Sequence, residues 1–135
     1  MSHALVIDDD AEVCLAIRTW LEINGIDAVL AVSVGDGFQA FDRFAFDVML
    51  VDIFMPEIDG LKATKAFRKQ APKIPIIAMS GLVPRYPPSQ VPDYFGMALQ
   101  LGARCCLHKP FQEDQLLDSG QDLSWQDAAP IAGKL

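Results

Sequence analysis

Five residues with charged or reactive side chains stand where short apolar runs of this sequence stop. Each run predicts a buried strand, because apolar and β-branched residues bounded by turn formers are typical of strands covered on both faces. The carboxyl ends of parallel strands share one edge of a sheet, and open α/β sheets bind ligands there. The sequence therefore predicts that this edge collects three acids, a hydroxyl and an amine, which are Asp8, Asp9, Asp52, Ser80 and Lys109.

These side chains suit phosphoryl chemistry assisted by a divalent cation. Three neighbouring carboxylates repel one another, and a hard cation that prefers oxygen ligands, Mg²⁺ above all, would relieve that repulsion. A carboxylate oxygen can also be a nucleophile, while a cation and a lysine neutralise the charge of a phosphoryl group. Asp52 is therefore the predicted position of an aspartyl phosphate.

The elements that must position these residues alternate along the chain. Strands are predicted at His3–Ile7, Ile26–Val32, Val48–Asp52, Pro75–Met79 and Arg104–His108. Helices are predicted from the Asp10 cap to a stop at Gly25, from Ser33 to near Ala45, over Gly60–Gln70, over Asp93–Leu101, and from Phe111 until Ser119-Gly120 ends the last one. This alternation indicates an α/β fold with a parallel sheet covered on both faces.

Composition narrows the class of protein. The 135 residues fit one domain, and the net charge of −7 argues against a binder of nucleic-acid backbones. No apolar run approaches the roughly 20 residues of a membrane span, so we expect a soluble, cytoplasmic chain. The three cysteines imply no disulfide framework, and the basic residues Lys62, Lys65, Arg68 and Lys69 are expected to form a solvated helix face.

Four segments carry a resemblance to a known family. They are Val6-Ile-Asp8-Asp9-Asp10, Asp47-Val-Met-Leu-Val-Asp52-Ile-Phe-Met-Pro-Glu-Ile-Asp-Gly60, Ile76-Ile-Ala-Met-Ser80-Gly and Leu107-His-Lys109-Pro-Phe111. In this order and spacing the chain resembles the response-regulator receiver domain of two-component signalling. The resemblance implies a doubly wound (βα)₅, flavodoxin-like fold, a three-layer sandwich around a five-stranded parallel sheet.

The resemblance also implies roles for individual residues. Asp52 would accept a phosphoryl group from a phosphohistidine on a histidine kinase or phosphotransfer protein. Asp9, Asp52 and the Phe54 carbonyl would ligate Mg²⁺, with Asp8 assisting through water. Ser80 would hydrogen-bond the phosphoryl group, and Lys109 would pair with it next to a cis Lys109-Pro110 bond. The chain would then be a signalling phosphoacceptor rather than an enzyme, acting through changed protein contacts.

Some positions depart from the family pattern. Cys106 occupies a position that is commonly aromatic, three residues before the lysine, and the proline-rich stretch 82–93 makes the segment between Ser80 and Lys109 longer than usual. These departures keep open a second function, a binding module that signals without phosphorylation. A phosphatase of the haloacid-dehalogenase type is disfavoured, because it needs a second acid where Phe54 stands. Since Phe54 cannot orient a water molecule, we expect slow self-dephosphorylation.

The chain divides, by this interpretation, into a receiver domain at residues 1–118 and a short tail at 119–135. The tail is too short for a DNA-binding domain, so the chain is either a single-domain regulator or a piece of a longer protein. Asp10 is interpreted as a helix cap rather than a metal ligand, and His3 and His108 are assigned no chemistry because neither has a partner at metal-ligand spacing.

Overall fold

The computed structural model describes residues 2–53, 60–81 and 94–122 and forms one sheet with helices on both sides. Its strands are β1 (Ser2–Ile7), β2 (Ile26–Ala31), β3 (Val48–Asp52), β4 (Ile76–Ser80) and β5 (Cys105–His108). Its helices are α1 (Ala11–Ile23), α2 (Val34–Arg43), α3 (Gly60–Gln70), α4 (Tyr94–Gln100) and α5 (Glu113–Asp122). Strand and helix alternate throughout, as the apolar runs predicted.

The sheet is entirely parallel and has the order β2-β1-β3-β4-β5. The chain therefore winds outwards in one direction from β1 and in the other from β3, so the predicted doubly wound (βα)₅ fold is confirmed. The central strands β3 and β4 are buried along their whole lengths, which is why their sequences are nearly continuous apolar runs.

Two hydrophobic layers hold the helices onto the sheet. One layer packs α2, α3 and α4 against one face through residues such as Val34, Phe67 and Ala98. The other packs α1 and α5 against the opposite face through residues such as Ile17 and Leu116. Each layer fixes its helices relative to the strand ends, and those ends carry the predicted site.

The ends of α1 and the start of α2 follow local capping chemistry. Asp10 is the N-cap of α1, and its carboxylate accepts hydrogen bonds from the backbone amides of Glu12 and Val13. Ser33 caps α2 by accepting from the amide of Asp36. Gly25, with φ of 80°, ends α1 in a conformation that glycine adopts without strain. The predicted capping role of Asp10 is confirmed.

Helix α5 does not end where the sequence predicted. The Ser119-Gly120 pair was expected to stop it, but the helix runs on to Asp122. The hydroxyl of Ser119 is buried and donates to the carbonyl oxygen of Leu116, 2.5 Å away, so this serine is satisfied inside the helix. The division of the chain into 1–118 and 119–135 stays a prediction, because residues 123–135 lie outside the described residues.

The expectation of a fully solvated basic face on α3 is wrong for Arg68. Its guanidinium group donates to the carbonyl oxygen of Gly102 from Nε at 3.1 Å and from Nη2 at 2.8 Å. It also donates to the carbonyl oxygens of Ala71 and Pro72. Burial, and then the charge of Arg104, lower the pKa of Arg68. This side chain therefore ties the end of α3 to the turn between α4 and β5.

Candidate phosphoacceptor site

Three carboxylates meet at the carboxyl edge of the sheet, as predicted. Asp8 and Asp9 follow β1, and Asp52 is the last residue of the neighbouring strand β3. One oxygen from each of the three lies within 4.8 Å of the others. Asp8 and Asp52 are buried, whereas Asp9 is exposed, so the cluster opens to solvent on the side of Asp9.

Lys109, directly after β5, supplies the counter-charge. Its Nζ donates to Asp8 Oδ2 at 2.8 Å and to Asp52 Oδ2 at 3.1 Å. The Lys109-Pro110 peptide bond is cis, as the family resemblance implied. Burial alone would disfavour the ammonium group, but the hydrogen bond and charge of Asp8 and the charge of Asp52 outweigh it and raise the pKa of Lys109. Lys109 is therefore a fixed positive charge at neutral pH.

Asp8 is oriented by contacts on every side. Its amide donates to the Ala31 carbonyl at 3.0 Å, and its Oδ1 accepts from the amide of Asp10 at 2.9 Å. The thiol of Cys14 lies 3.2 Å from the Asp8 carbonyl oxygen and donates to it. Burial, and then the charge of Asp8, raise the pKa of Cys14 to about 11, so the thiol keeps its proton.

Ser80 ends β4, the strand beside β3, and its side chain is buried. Its backbone carbonyl accepts from the Lys109 amide at 2.8 Å, which joins the ends of β4 and β5. The predicted serine and lysine are thus connected through the main chain. Phe54, the fourth predicted metal ligand, lies outside the described residues, as does the proline-rich stretch 82–93.

Gly60 makes a close approach that the sequence alone did not indicate. A Cβ atom at this position would collide with the carbonyl oxygen of Asp52 and with Cα of Ile53. Because those are main-chain atoms, they cannot move aside cheaply. Gly60 therefore lets the start of α3 press against the backbone that carries Asp52.

The donor set fits a hard divalent cation. Carboxylate oxygens are the ligands that Mg²⁺ prefers, and three of them converge where only Asp9 is freely hydrated. Among the described residues this is the one group of three acids, histidines or cysteines close enough to share an ion. Asp8 and Asp52 share the single ammonium group of Lys109. A bound cation would therefore neutralise negative charge that Lys109 alone leaves uncompensated.

A family model described as "Response regulator receiver domain" matches residues 4–120. The chain belongs to the response regulator receiver domain family. Receiver domains are signalling domains rather than enzymes in the usual sense, and they bind Mg²⁺ at an acidic cluster of this kind. Receivers of response regulators function in phosphorylation-dependent signalling and interact with histidine kinases or phosphotransfer proteins.

Relatives and solved structures agree with this assignment. The receiver is 28% identical to a transcriptional regulatory protein CpxR homolog of Haemophilus influenzae, over 96% of this chain and 53% of that protein. It is 31% identical to CpxR of Escherichia coli K12, over 87% of this chain and 47% of that protein. The receiver domain of the Francisella response regulator 1452 superposes with a TM-score of 0.79 at 29% identity, covering 95% and 99% of the two chains.

The chain spans about half the length of these two transcriptional regulators. Within the described part of the receiver, no helix is both long and apolar enough to cross a membrane.

Sequence reasoning missed two contacts around the site. The Cys14 thiol gave no signal beyond its apolar helix position, and a cysteine there is most simply read as core. Phe95 of α4 lies edge-on to His108 with ring centroids 4.5 Å apart, and nothing in the spacing of these two residues indicates the contact. Both depend on how separate elements pack, which local patterns do not encode.

Proposed function

We propose that Asp52 accepts a phosphoryl group from a phosphohistidine of a histidine kinase or phosphotransfer protein. The observation that carries the proposal is the buried carboxylate of Asp52, with Lys109 Nζ 3.1 Å from one of its oxygens. In the transfer, an Asp52 oxygen forms a bond to phosphorus, the bond from phosphorus to the imidazole nitrogen breaks, and the imidazole keeps that electron pair. A carboxylate attacks with an oxygen lone pair, so in that form the acceptor needs no proton removed.

The other site residues would stabilise this transfer. The ammonium of Lys109 lies between Asp8 and Asp52 and is close enough to pair with a phosphoryl oxygen on Asp52. The hydroxyl of Ser80, at the end of the next strand, would donate a hydrogen bond to the phosphoryl group. Asp8, Asp9 and Asp52 would hold Mg²⁺ together with the Phe54 carbonyl, and the ion, when bound, would neutralise phosphoryl charge.

The setting of the reaction is also part of the proposal. The relatives are transcriptional regulators about twice the length of this chain, and the receiver matches only about half of each. For the receiver itself we propose an output through changed contacts with other proteins. A cytoplasmic location fits a partner that carries phosphohistidine. The phenylalanine at position 54 cannot orient a water molecule, which supports a long-lived phosphorylated form. The proline-rich stretch 82–93 is a candidate surface for binding a partner. Both statements stay predictions.

Intact mass spectrometry tests the acceptor directly. The protein is incubated with Mg²⁺ and acetyl phosphate, alongside Asp52→Asn and, as a matched control, Asp114→Asn on the exposed first turn of α5. We expect one added phosphoryl group in the parent and in Asp114→Asn, and none in Asp52→Asn.

Two results would redirect the interpretation. Phosphorylation of Asp52→Asn would place the acceptor elsewhere. No added group in the parent would favour the alternative of a binding module that signals without phosphorylation.

A further inference from the structure

A buried thiol holds the peptide group between Asp8 and Asp9. The thiol of Cys14 donates to the carbonyl oxygen of Asp8, which lies 3.2 Å from the sulfur. Cys14 is 1% exposed and Asp8 is 0% exposed, so this oxygen is shielded from water. Among the residues that the structure describes, no second donor to it is found. A buried thiol in apolar surroundings keeps its proton at neutral pH, so the donor is present under ordinary conditions.

This peptide group sets the direction of Asp9. A peptide group is planar and rigid, so the carbonyl of Asp8 and the amide of Asp9 turn together. The other contacts of Asp8 hold its amide, which donates to the Ala31 carbonyl, and its Oδ1, which accepts from the Asp10 amide. The thiol bond holds the carbonyl end. The Asp9 carboxylate makes no hydrogen bond to the described part of the chain, so its place in the acid cluster depends on its backbone.

Helix α1 places the thiol next to that carbonyl. Cys14 lies on the inner face of the helix together with Ile17 and Leu21, and all three are buried in the hydrophobic layer that α1 shares with the sheet. Loss of the thiol would leave a buried carbonyl without its donor, and such a group costs free energy unless the backbone rotates to find another partner. Any such rotation would carry Asp9 with it.

We propose that Cys14 is a positioning residue for the divalent-cation site, because its hydrogen bond keeps the Asp9 carboxylate close to the other two acids. One oxygen from each of the three lies within 4.8 Å of the others, and Asp9 is the exposed member. The inference rests on the proposed function, in which these acids hold Mg²⁺. Outer contacts that orient metal ligands typically change metal affinity by about 10- to 100-fold. Because a thiol is a weak donor, we expect a change of about tenfold here.

The test measures Mg²⁺ affinity by NMR, with the ¹⁵N-labelled protein titrated with MgCl₂ at constant pH. The amide of Asp9 belongs to the peptide group that the thiol holds, so its resonance reports both ion binding and the orientation of that group. Cys14→Ala removes the donor, and we expect the dissociation constant of Mg²⁺ to rise about tenfold. Cys14→Ser supplies a hydroxyl donor at the same position, and its affinity should lie closer to that of the parent than to that of Cys14→Ala.

Ile17→Val separates positioning from packing. Ile17 is buried on the same inner face of α1, but its side chain has no hydrogen-bond donor. Removing a methyl group from it weakens the packing of α1 on the sheet. We expect this variant to bind Mg²⁺ as the parent does, and urea unfolding confirms that each variant is folded during the titration.

Infrared spectroscopy examines the hydrogen bond without altering Cys14. In the double variant Cys105→Ala/Cys106→Ala, the thiol of Cys14 is the one that remains of the three in the chain, so its S–H stretching band stands alone. We expect this band at a lower frequency than that of a thiol in an apolar solvent, because donation to a carbonyl weakens the S–H bond.

An unchanged Mg²⁺ affinity in folded Cys14→Ala would overturn the inference, and so would an equal loss of affinity in Ile17→Val. A folded Cys14→Ser protein that binds Mg²⁺ as weakly as Cys14→Ala would show that the donor is not what matters. An S–H band at the frequency of a thiol without a hydrogen bond would overturn the inference even if neither variant of Cys14 folds. No shift at the acid cluster of the parent on adding Mg²⁺ would instead overturn the proposed cation site, and the inference with it.

Discussion

Replacing Lys109 by methionine should strongly destabilise the protein when no metal is present. Methionine keeps an unbranched side chain of similar shape, with sulfur in place of one methylene group, and it lacks the ammonium group. That group is the partner of two carboxylates whose side chains are 0% and 4% exposed, those of Asp8 and Asp52. Removing one partner of a buried ion pair costs about 3–5 kcal/mol, because the remaining charge is left buried and uncompensated. Here two carboxylates are left, and each repels the other.

The matched control is Lys62→Met, which removes an exposed lysine from α3. Exposed charges contribute at most about 1 kcal/mol, so this variant should unfold close to the parent. Urea unfolding in EDTA measures both free energies. A loss in Lys109→Met no larger than that in Lys62→Met would refute the claim that Lys109 neutralises the acid cluster.

Mg²⁺ adds a second arm to this experiment. A cation that binds only the folded state stabilises it by about 2.7 kcal/mol at a concentration one hundred times its dissociation constant. In Lys109→Met the ammonium no longer competes for Asp8 and Asp52, so Mg²⁺ should stabilise the variant more than the parent. Equal stabilisation by Mg²⁺ in the two proteins would mean that the ion does not bind this cluster.

The pH dependence of the same variant has a definite sign. The pKa of Lys109 is raised above the ordinary lysine value of 10.5, so the folded protein holds this proton more tightly than the unfolded chain. The stabilisation is therefore complete below the pKa of the unfolded chain and falls as pH rises through the folded pKa. The parent should lose stability above about pH 10.5, and Lys109→Met should lack that component of the slope.

Two further predictions concern residues that support the site and the sheet edge. The pKa of Cys14 rises from 9.0 to about 11 on folding, so the folded state retains a proton that the unfolded chain loses, and stability should fall between these pH values. In Cys14→Ala the free energy of unfolding should depend less on pH over that interval. An unchanged pH dependence would contradict the argument that the buried thiol keeps its proton. Arg68→Met should cost about 1–3 kcal/mol in urea unfolding, because the Gly102 carbonyl and its neighbours lose their donors. Lys69→Met, at the exposed next position, is its control, and equal losses in the two variants would show that the guanidinium hydrogen bonds contribute nothing.

The strands were predictable because burial on both faces leaves little freedom in their composition. β3 and β4 must be apolar throughout, and each is interrupted only where its last side chain reaches the edge of the sheet. Once the strands are parallel, the meeting of Asp8, Asp9 and Asp52 follows from topology alone. The position of the acid cluster could therefore be predicted from the sequence without any knowledge of register.

Contacts between separate elements were not predictable in this way. Arg68 looks like any exposed basic residue of α3 until the turn after α4 brings the Gly102 carbonyl within reach. Helix α5 continues through Ser119, whose buried hydroxyl donates a hydrogen bond to the Leu116 carbonyl oxygen of the same helix. For Arg68 the partner comes from tertiary packing, whereas for Ser119 burial of the hydroxyl turns it to a carbonyl of its own helix.

The presence of buried acids in the cluster is explained by function rather than by stability. Replacing Asp8 or Asp52 by an apolar residue of similar size would remove one of two buried carboxylates that repel each other, and Lys109 would remain paired with the other one. Lys109 offsets that repulsion in the resting protein, and the proposed transfer would draw the same ammonium towards a phosphoryl group. A residue that stabilises one state and is redirected in the other necessarily changes the contacts of its neighbours.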